Sequence, residues 1–297
     1  MSMLRASNIS KAFNGNIVVQ DISFSIEQGE VFGIVGPNGA GKTTTIRMLM
    51  DIIKPDSGEI EILGQPICED TKNRIGYLPE ERGLYRKLTM IETLAYLSSL
   101  KNIKVEMARK RADELLERVG MLPHQNKKVE ELSRGMGQLV QFVATIIHNP
   151  DLVIFDEPFA GLDPVNKGVI KEMMLELKEQ GKAIILSTHM MNEVEELCDR
   201  ILMINKGSKV LYGSLAEVKS RYRNNSILVE CNGELGEIEG VEGSKSHGAY
   251  TELFLTPHTS PQMVLSQLLS QGVVVNRFEV SSPSLDEIFV RVVEENR

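Results

Sequence analysis

Thirteen residues, IVGPNGAGKTTTI at positions 34–46, hold one lysine inside a run of small residues, with three threonines following. This pattern suits phosphate. Ahead of it VFGIV (31–35) is wholly apolar, as expected of a buried central strand, and Lys42–Met50 reads as a helix. Strand, glycine-rich loop and helix together make GxxxxGK[ST] a P-loop. Successive backbone N–H groups form an anion nest that side chains would block, hence Gly36, Gly39 and Gly41. The helix start adds the positive end of its dipole. Lys42 supplies a point charge for the β- and γ-phosphates, and Thr43 offers a hydroxyl to Mg²⁺. Pro37, Asn38, Ala40 and Thr44 complete the expected nucleotide-binding stretch.

Kinases, GTPases, helicases and transport ATPases share such a loop, so other residues must choose among them. A second apolar run, LVIF (152–155), ends in Asp156–Glu157. At the end of a buried strand beside the P-loop strand, Asp156 is expected to ligate Mg²⁺. Side chains alternate along a strand, so Glu157 is expected to point elsewhere and to orient or deprotonate a water. A third strand, AIILS (183–187), leads into Thr188 and His189. Ligands of open parallel sheets sit at the C-terminal strand ends, which puts His189 in reach of the γ-phosphate. The other histidines, His124, His148, His247 and His258, lack that placement and read as ordinary polar residues.

ELSRGMGQLVQFVATIIHNPDLVIFDEP contains a second anion-binding helix start. Ser133 can cap a helix whose apolar face runs Leu139, Phe142, Val143, Ile146. Arg134, Gly135 and Gly137 leave its N-terminus open and positive. One ATP does not need two such starts from one chain.

At this point the chain resembles the ATP-binding subunit of an ABC transporter. The resemblance covers about residues 3–220 and rests on Leu132, Ser133, Gly135 and Gln138, on Gly36–Thr44, Asp156–Glu157, AGLD (160–163) and His189, in the family order. It implies ATP and Mg²⁺ as cofactors and a dimer of ATP-binding subunits. Ser133 and Gly135 would reach the γ-phosphate held by the partner's P-loop. Phe13, in KAFNG, would stack on adenine, and Asp163 would lie in a loop crossing the dimer axis. Glu157, His189 and Lys42 would be the catalytic set. A separate permease subunit is implied, as is a place on the cytoplasmic face of the cell membrane.

Two departures stand out. GYLPEERGLY (76–85) has Glu80 where the family usually has glutamine, and Glu80 is expected to ligate the metal or its water. The signature reads LSRGM rather than LSGGQ, with Arg134 and Met136 substituted. These changes resemble a subgroup of bacterial exporters that includes proposed sodium and drug exporters, which points to export.

The surrounding elements follow. Residues 89–129 read as helix-rich, with Ala112, Leu115, Leu116 and Val119 at helical spacing. They fit the family's helical subdomain, about residues 89–148, expected to grip the permease. Beyond about residue 221, SILVEC, YTELFL and VVVNRFEV read as strands, and SPQMVLSQLLSQG and SPSLDEIFVRVVEE as helices. The expected fold is α/β. A P-loop NTPase core with an antiparallel β subdomain and a helical subdomain (1–221) precedes a small C-terminal α/β accessory domain (222–297).

The totals agree with this reading. Of 297 residues 42% are hydrophobic and 25% charged, as in a soluble globular protein. A net charge of −8 gives nucleic-acid binding no electrostatic support. Cys68, Cys198 and Cys231 are odd in number and scattered, which argues against a disulfide framework or a zinc site. The opening MSMLRASNIS lacks a signal pattern, and no apolar run approaches the roughly 18 residues of a membrane span. The alternative is an ABC-type ATPase switch that moves no solute. Such relatives usually carry two ATP sites in one chain or a long coiled coil, and this sequence has neither.

Overall fold

The computed structural model describes residues 2–81, 83–222, 225–232 and 236–295. The chain divides into two compact units, one running to Leu215 and taking in the chain from Val292, the other Ala216–Arg291.

In the first unit, β1 (Ser2–Phe13) and β2 (Asn16–Glu27) form an antiparallel hairpin. Its turn, Asn14–Gly15, has φ of 50° and 83°, the left-handed pair that suits the twist of flanking strands. Then come β3 (Val31–Val35), α1 (Lys42–Leu49), β4 (Ser57–Ile62), β5 (Gln65–Pro66), α2 (Glu69–Asn73) and β6 (Ile75–Leu78). A helical segment follows, with α3 (Met90–Ser99), α4 (Val105–Arg118) and α5 (Arg134–Ile146). The chain returns through β7 (Leu152–Asp156), α6 (Pro164–Glu179), β8 (Ala183–Thr188), α7 (Met191–Leu197), β9 (Arg200–Asn205) and β10 (Ser208–Ser214). The helix α8 (Leu215–Arg221) starts at the boundary of the two units.

The ten strands make one sheet in the order β5-β4-β1-β2-β10-β9-β3-β8-β7-β6. Its β9-β3-β8-β7-β6 part is parallel, and β5-β4-β1-β2 is antiparallel. Every residue of β3, β7 and β8 is buried, which is why these strands read as unbroken apolar runs. One expectation is corrected here. The strand ending in Asp156 is not beside the P-loop strand, because β8 lies between them. An all-apolar run reports burial on both faces and says nothing about which strand is its neighbour.

The helix α5 is seated on β7 by Phe142, which stacks on Phe155 at 5.1 Å between centroids. Both rings are fully buried, and each contributes about 2 kcal/mol by leaving water. Thr89 opens α3 with a capping box, accepting from Glu92 N while the Glu92 carboxylate accepts from Thr89 N at 2.8 Å. Met90, Leu94, Ala108, Ala112 and Leu116 are the buried faces of α3 and α4.

The second unit has an antiparallel sheet, β12-β13-β11-β14, built from β11 (Ser226–Asn232), β12 (Val241–Ser246), β13 (Thr251–Leu255) and β14 (Val274–Val280). Val264 and Leu268 of α9 (Pro261–Ser270) pack with Ile227, Val229, Leu253 and Leu255. Gly272 follows α9 at φ 74°, a left-handed helix stop. The closing helix α10 spans Leu285–Glu295. The edge strand β12 is absent from the sequence reading: it is VEGSKS, largely exposed, with no apolar alternation to mark it. Among the described residues no helix is long and apolar enough to cross a membrane.

Candidate active site

The loop between β3 and α1 wraps so tightly that two glycines are obligatory. Gly36 has φ 150°, and a Cβ there would stand 2.1 Å from Ile204 O. Gly41 has φ 110°, and its Cβ would meet Val18 O at 2.7 Å. Ala40 N donates to Pro37 O at 3.1 Å, and Ala40 O accepts from Gly207 N at 2.9 Å, which ties the loop to the segment joining β9 and β10. Lys42 is buried, and its ammonium donates to Gly36 O at 2.8 Å and Pro37 O at 3.2 Å. Burial lowers its pKa from the usual lysine value, opposed by the carboxylates of Glu157, Asp156 and Glu80.

A cavity of about 220 Å³ opens at this loop. Asn38, Gly39, Gly41, Lys42, Thr43 and Thr44 form one wall, and Glu80, Asp156 and Glu157 form another. Gly36, Pro37 and Ala40 shape the loop from behind without lining the cavity.

Asp156 is 1% exposed, and no donor among the described residues meets its carboxylate oxygens at full hydrogen-bonding geometry, although the Ser187 and Thr43 hydroxyls lie close enough to favour its charge. Burial pushes the Asp156 carboxyl above its usual range, opposed by the hydroxyls of Ser187 and Thr43 and helped by the charges of Glu80 and Glu157. A buried carboxylate facing only neutral hydroxyls and other carboxylates is costly, and a cation removes that cost. A hydroxyl and carboxylates are the donor set of a hard divalent ion, so Thr43, Asp156 and Glu80 fit Mg²⁺. Among the described residues no three His, Cys, Asp or Glu side chains converge into a metal cage. Mg²⁺ on a phosphate needs none, since phosphate and water supply the remaining ligands.

Glu157 follows β7 with φ 52°. The left-handed turn aims its side chain, not the strand alternation expected from the sequence. Its carboxylate is held from β8 and the residue after it. His189 donates to Oε1 from its main-chain N at 3.1 Å, with Nδ1 of the ring at 2.7 Å. Thr188 Oγ1 donates to Oε2 at 3.3 Å.

Ser133 and Gly135 lie outside the cavity. Ser133 is exposed and caps α5 by accepting from Met136 N at 3.3 Å. A Cβ on Gly161 would meet the Arg134 side chain at 2.9 Å, so Arg134 lies over the AGLD segment. Asp163 caps α6, accepting from Val165 N and Asn166 N at 2.9 and 3.0 Å. Phe13 sits at the end of β1, 42% exposed, with the Lys11 ammonium 5.7 Å from its ring centre, and does not line the cavity.

Two glutamines join these parts: Gln138, named from the sequence only as a signature match, and Gln141, which the sequence reading did not single out. Gln138 Nε2 donates to Pro158 O at 2.9 Å, beside Glu157, and Gln141 Nε2 donates to Pro79 O at 3.1 Å, beside Glu80. Both are buried in α5. Polar residues three apart beside an apolar helix face were the available signal.

Together the nucleotide loop, the buried carboxylate and the clamped glutamate define an ATP-hydrolysing P-loop protein. The ABC transporter family profile matches residues 19–160, and that of the ATP-binding protein DrrA1-3-like C-terminal domain matches residues 213–293. The sequence is 37% identical over 294 residues to YhaQ, an uncharacterized ABC transporter ATP-binding protein of Bacillus subtilis (strain 168), covering 98% of each chain. It is 40% identical over 229 residues to the linearmycin resistance ATP-binding protein LnrL of the same organism, covering 76% of this chain and 74% of LnrL. The structure of an ATP-binding subunit of an ABC transporter superposes with a TM-score of 0.70 at 30% identity, over 74% of this chain and 93% of that one. The chain belongs to the ABC transporter ATP-binding proteins, and it is an ATPase.

Proposed function

We propose that the protein cleaves MgATP between two ATP-binding subunits and so drives a separate membrane-spanning permease, in the direction of export. The observation that carries this reading is the buried carboxylate of Asp156, which lines one cavity with Lys42, Thr43 and Glu157. Lys42 and the loop amides of Gly36–Thr44 hold the β- and γ-phosphates. Lys42 releases the carbonyls of Gly36 and Pro37 when phosphate arrives. Thr43, Asp156 and Glu80 hold Mg²⁺, which when bound neutralises charge on the phosphates. Glu157 takes the proton of the attacking water, and His189 steadies both Glu157 and the γ-phosphate. Phe13 stacks on adenine.

The signature helix closes the site from the other subunit. Ser133 and Gly135 stand exposed or half-exposed at the start of α5 and away from the cavity of their own chain, which supports a contact made in trans. The AGLD segment with Asp163 runs along the same axis. For the permease, the apolar groove of about 320 Å³ between the sheet and the helical segment is suited, lined by Tyr77, Leu84, Leu97 and Leu100. Docking there would keep the chain at the cytoplasmic face of the membrane. Export is supported by the resistance function in the name of LnrL. We assign residues 222–297 as an accessory domain for dimerisation or regulation, in line with the DrrA1-3-like match.

The test is the solution mass of Glu157→Gln with and without ATP. This variant should bind ATP, fail to cleave it, and pass from monomer to closed dimer. ATP binding without any change of mass would count against sites shared by two copies of this chain.

A further inference from the structure

The hydroxyl that orients Glu157 is contested. Thr188 Oγ1 lies 3.3 Å from Glu157 Oε2 and 3.3 Å from Glu193 Oε2. Its acceptor side is taken by Met190 N, which donates to it at 3.1 Å. A hydroxyl has one proton, so Thr188 can serve only one of the two carboxylates at a time. Glu193 belongs to α7 and is 2% exposed, so its charge cannot be left without a donor. The second donor to it is Lys167 on α6, whose ammonium reaches Glu193 Oε1 at 2.9 Å.

We infer that Lys167 is a positioning residue for ATP cleavage: by holding Glu193, it leaves the Thr188 proton on Glu157 and keeps that carboxylate aimed into the phosphate cavity. The inference rests on Glu157 being the group that activates water. Without Lys167, Thr188 is the remaining side-chain donor to Glu193 among the described residues, and the proton turns to the buried charge. Glu157 then keeps Oε1 on His189 but loses its second anchor, and the carboxylate rotates.

This arrangement also ties catalysis to α6. The cap of α6 is Asp163, the last residue of the AGLD segment, and Lys167 stands one turn further on. Movement of that segment, as when another molecule seats against it, shifts the ammonium that decides where the Thr188 proton lies. A second rung, Lys171 with Glu196, also joins α6 to α7 but reaches no residue of the site. It serves as the control for bracing alone.

The experiment is steady-state ATP turnover of the full chain, with ATP affinity measured separately. Lys167→Met should lower kcat about tenfold, the effect of one hydrogen bond to a charged group, with KM within about twofold of the parent. Lys167→Arg should restore turnover, and Lys171→Met should leave it unchanged. Thr188→Val should lower kcat as much as Lys167→Met, and the double variant should be no slower than Thr188→Val, since both remove the same proton from Glu157. Glu193→Gln removes the competing charge and should keep kcat within about threefold, which covers the case of Lys167→Met failing to fold. Unchanged kcat in Lys167→Met, additive losses in the double variant, or a tenfold loss in Glu193→Gln would each overturn the inference. Glu157→Gln run alongside separates the two levels. Full turnover there removes the role of Glu157 itself, whereas an inactive Glu157→Gln beside an unaffected Lys167→Met removes only the role of Lys167.

Discussion

Glu157 Oε1 is held by two nitrogens of His189, the main chain at 3.1 Å and ring Nδ1 at 2.7 Å. The His189 side chain is 49% exposed and does not itself line the phosphate cavity. In this pose His189 fixes the glutamate. His189→Ala keeps the main-chain donor and loses the ring. It should lower kcat about 10²-fold while ATP affinity changes little, a split that single-turnover cleavage beside nucleotide titration will show.

Asp156→Asn sets metal binding against stability. The carboxylate is buried, and its burial disfavours the charge more than the Ser187 and Thr43 hydroxyls favour it. In metal-free buffer the amide should raise Tm by about 2–4 °C. Mg²⁺-dependent ATP binding should fall by about tenfold or more. A variant that binds MgATP as the parent does would remove Asp156 from the metal site.

Glu80 lines the cavity and is otherwise exposed. If it ligates the metal or its water, Glu80→Gln should raise the Mg²⁺ concentration for half-maximal ATPase about tenfold, since a neutral amide oxygen is the weaker ligand. An unchanged metal titration and an unchanged rate would show that Glu80 only faces solvent.

Gly36→Ala tests the loop backbone. Its Cβ would lie 2.1 Å from the Ile204 carbonyl oxygen at a φ of 150°. Denaturant unfolding should show a loss of about 3 kcal/mol, and ATP binding should disappear with the displaced amides.

His148 contributes a pH dependence to stability. Burial, with the charge of Lys101 next, brings its pKa down from 6.5 to about 4, although its ring meets Ile75 O at 3.1 Å. A histidine depressed in the folded state binds its proton first in the unfolded chain. Its contribution is thus intact above the unfolded value of 6.5 and lost as pH falls from there towards 4. The loss amounts to about 3 kcal/mol at acid pH. Urea unfolding at pH 7 and pH 5 should show a decline in the parent that His148→Gln flattens.

The sequence by itself determined what local chemistry dictates. The apolar runs of β3, β7 and β8, the glycines of the phosphate loop, and Ser133 at the head of α5 are written in consecutive residues, and so is the order of segments that marks the family. Tertiary structure alone decided the rest. It put β8 between β3 and β7, because buried strands read alike whatever their neighbours. It turned Glu157 by a left-handed φ of 52° that strand alternation does not encode. It made a strand of VEGSKS, which pairs through its backbone and has no apolar face to announce it. It also brought Lys167, Glu193 and Thr188 to Glu157. Each of these is an ordinary polar residue in its own segment, and only the packing of α6 and α7 beside β8 makes one hydroxyl proton answer to two carboxylates.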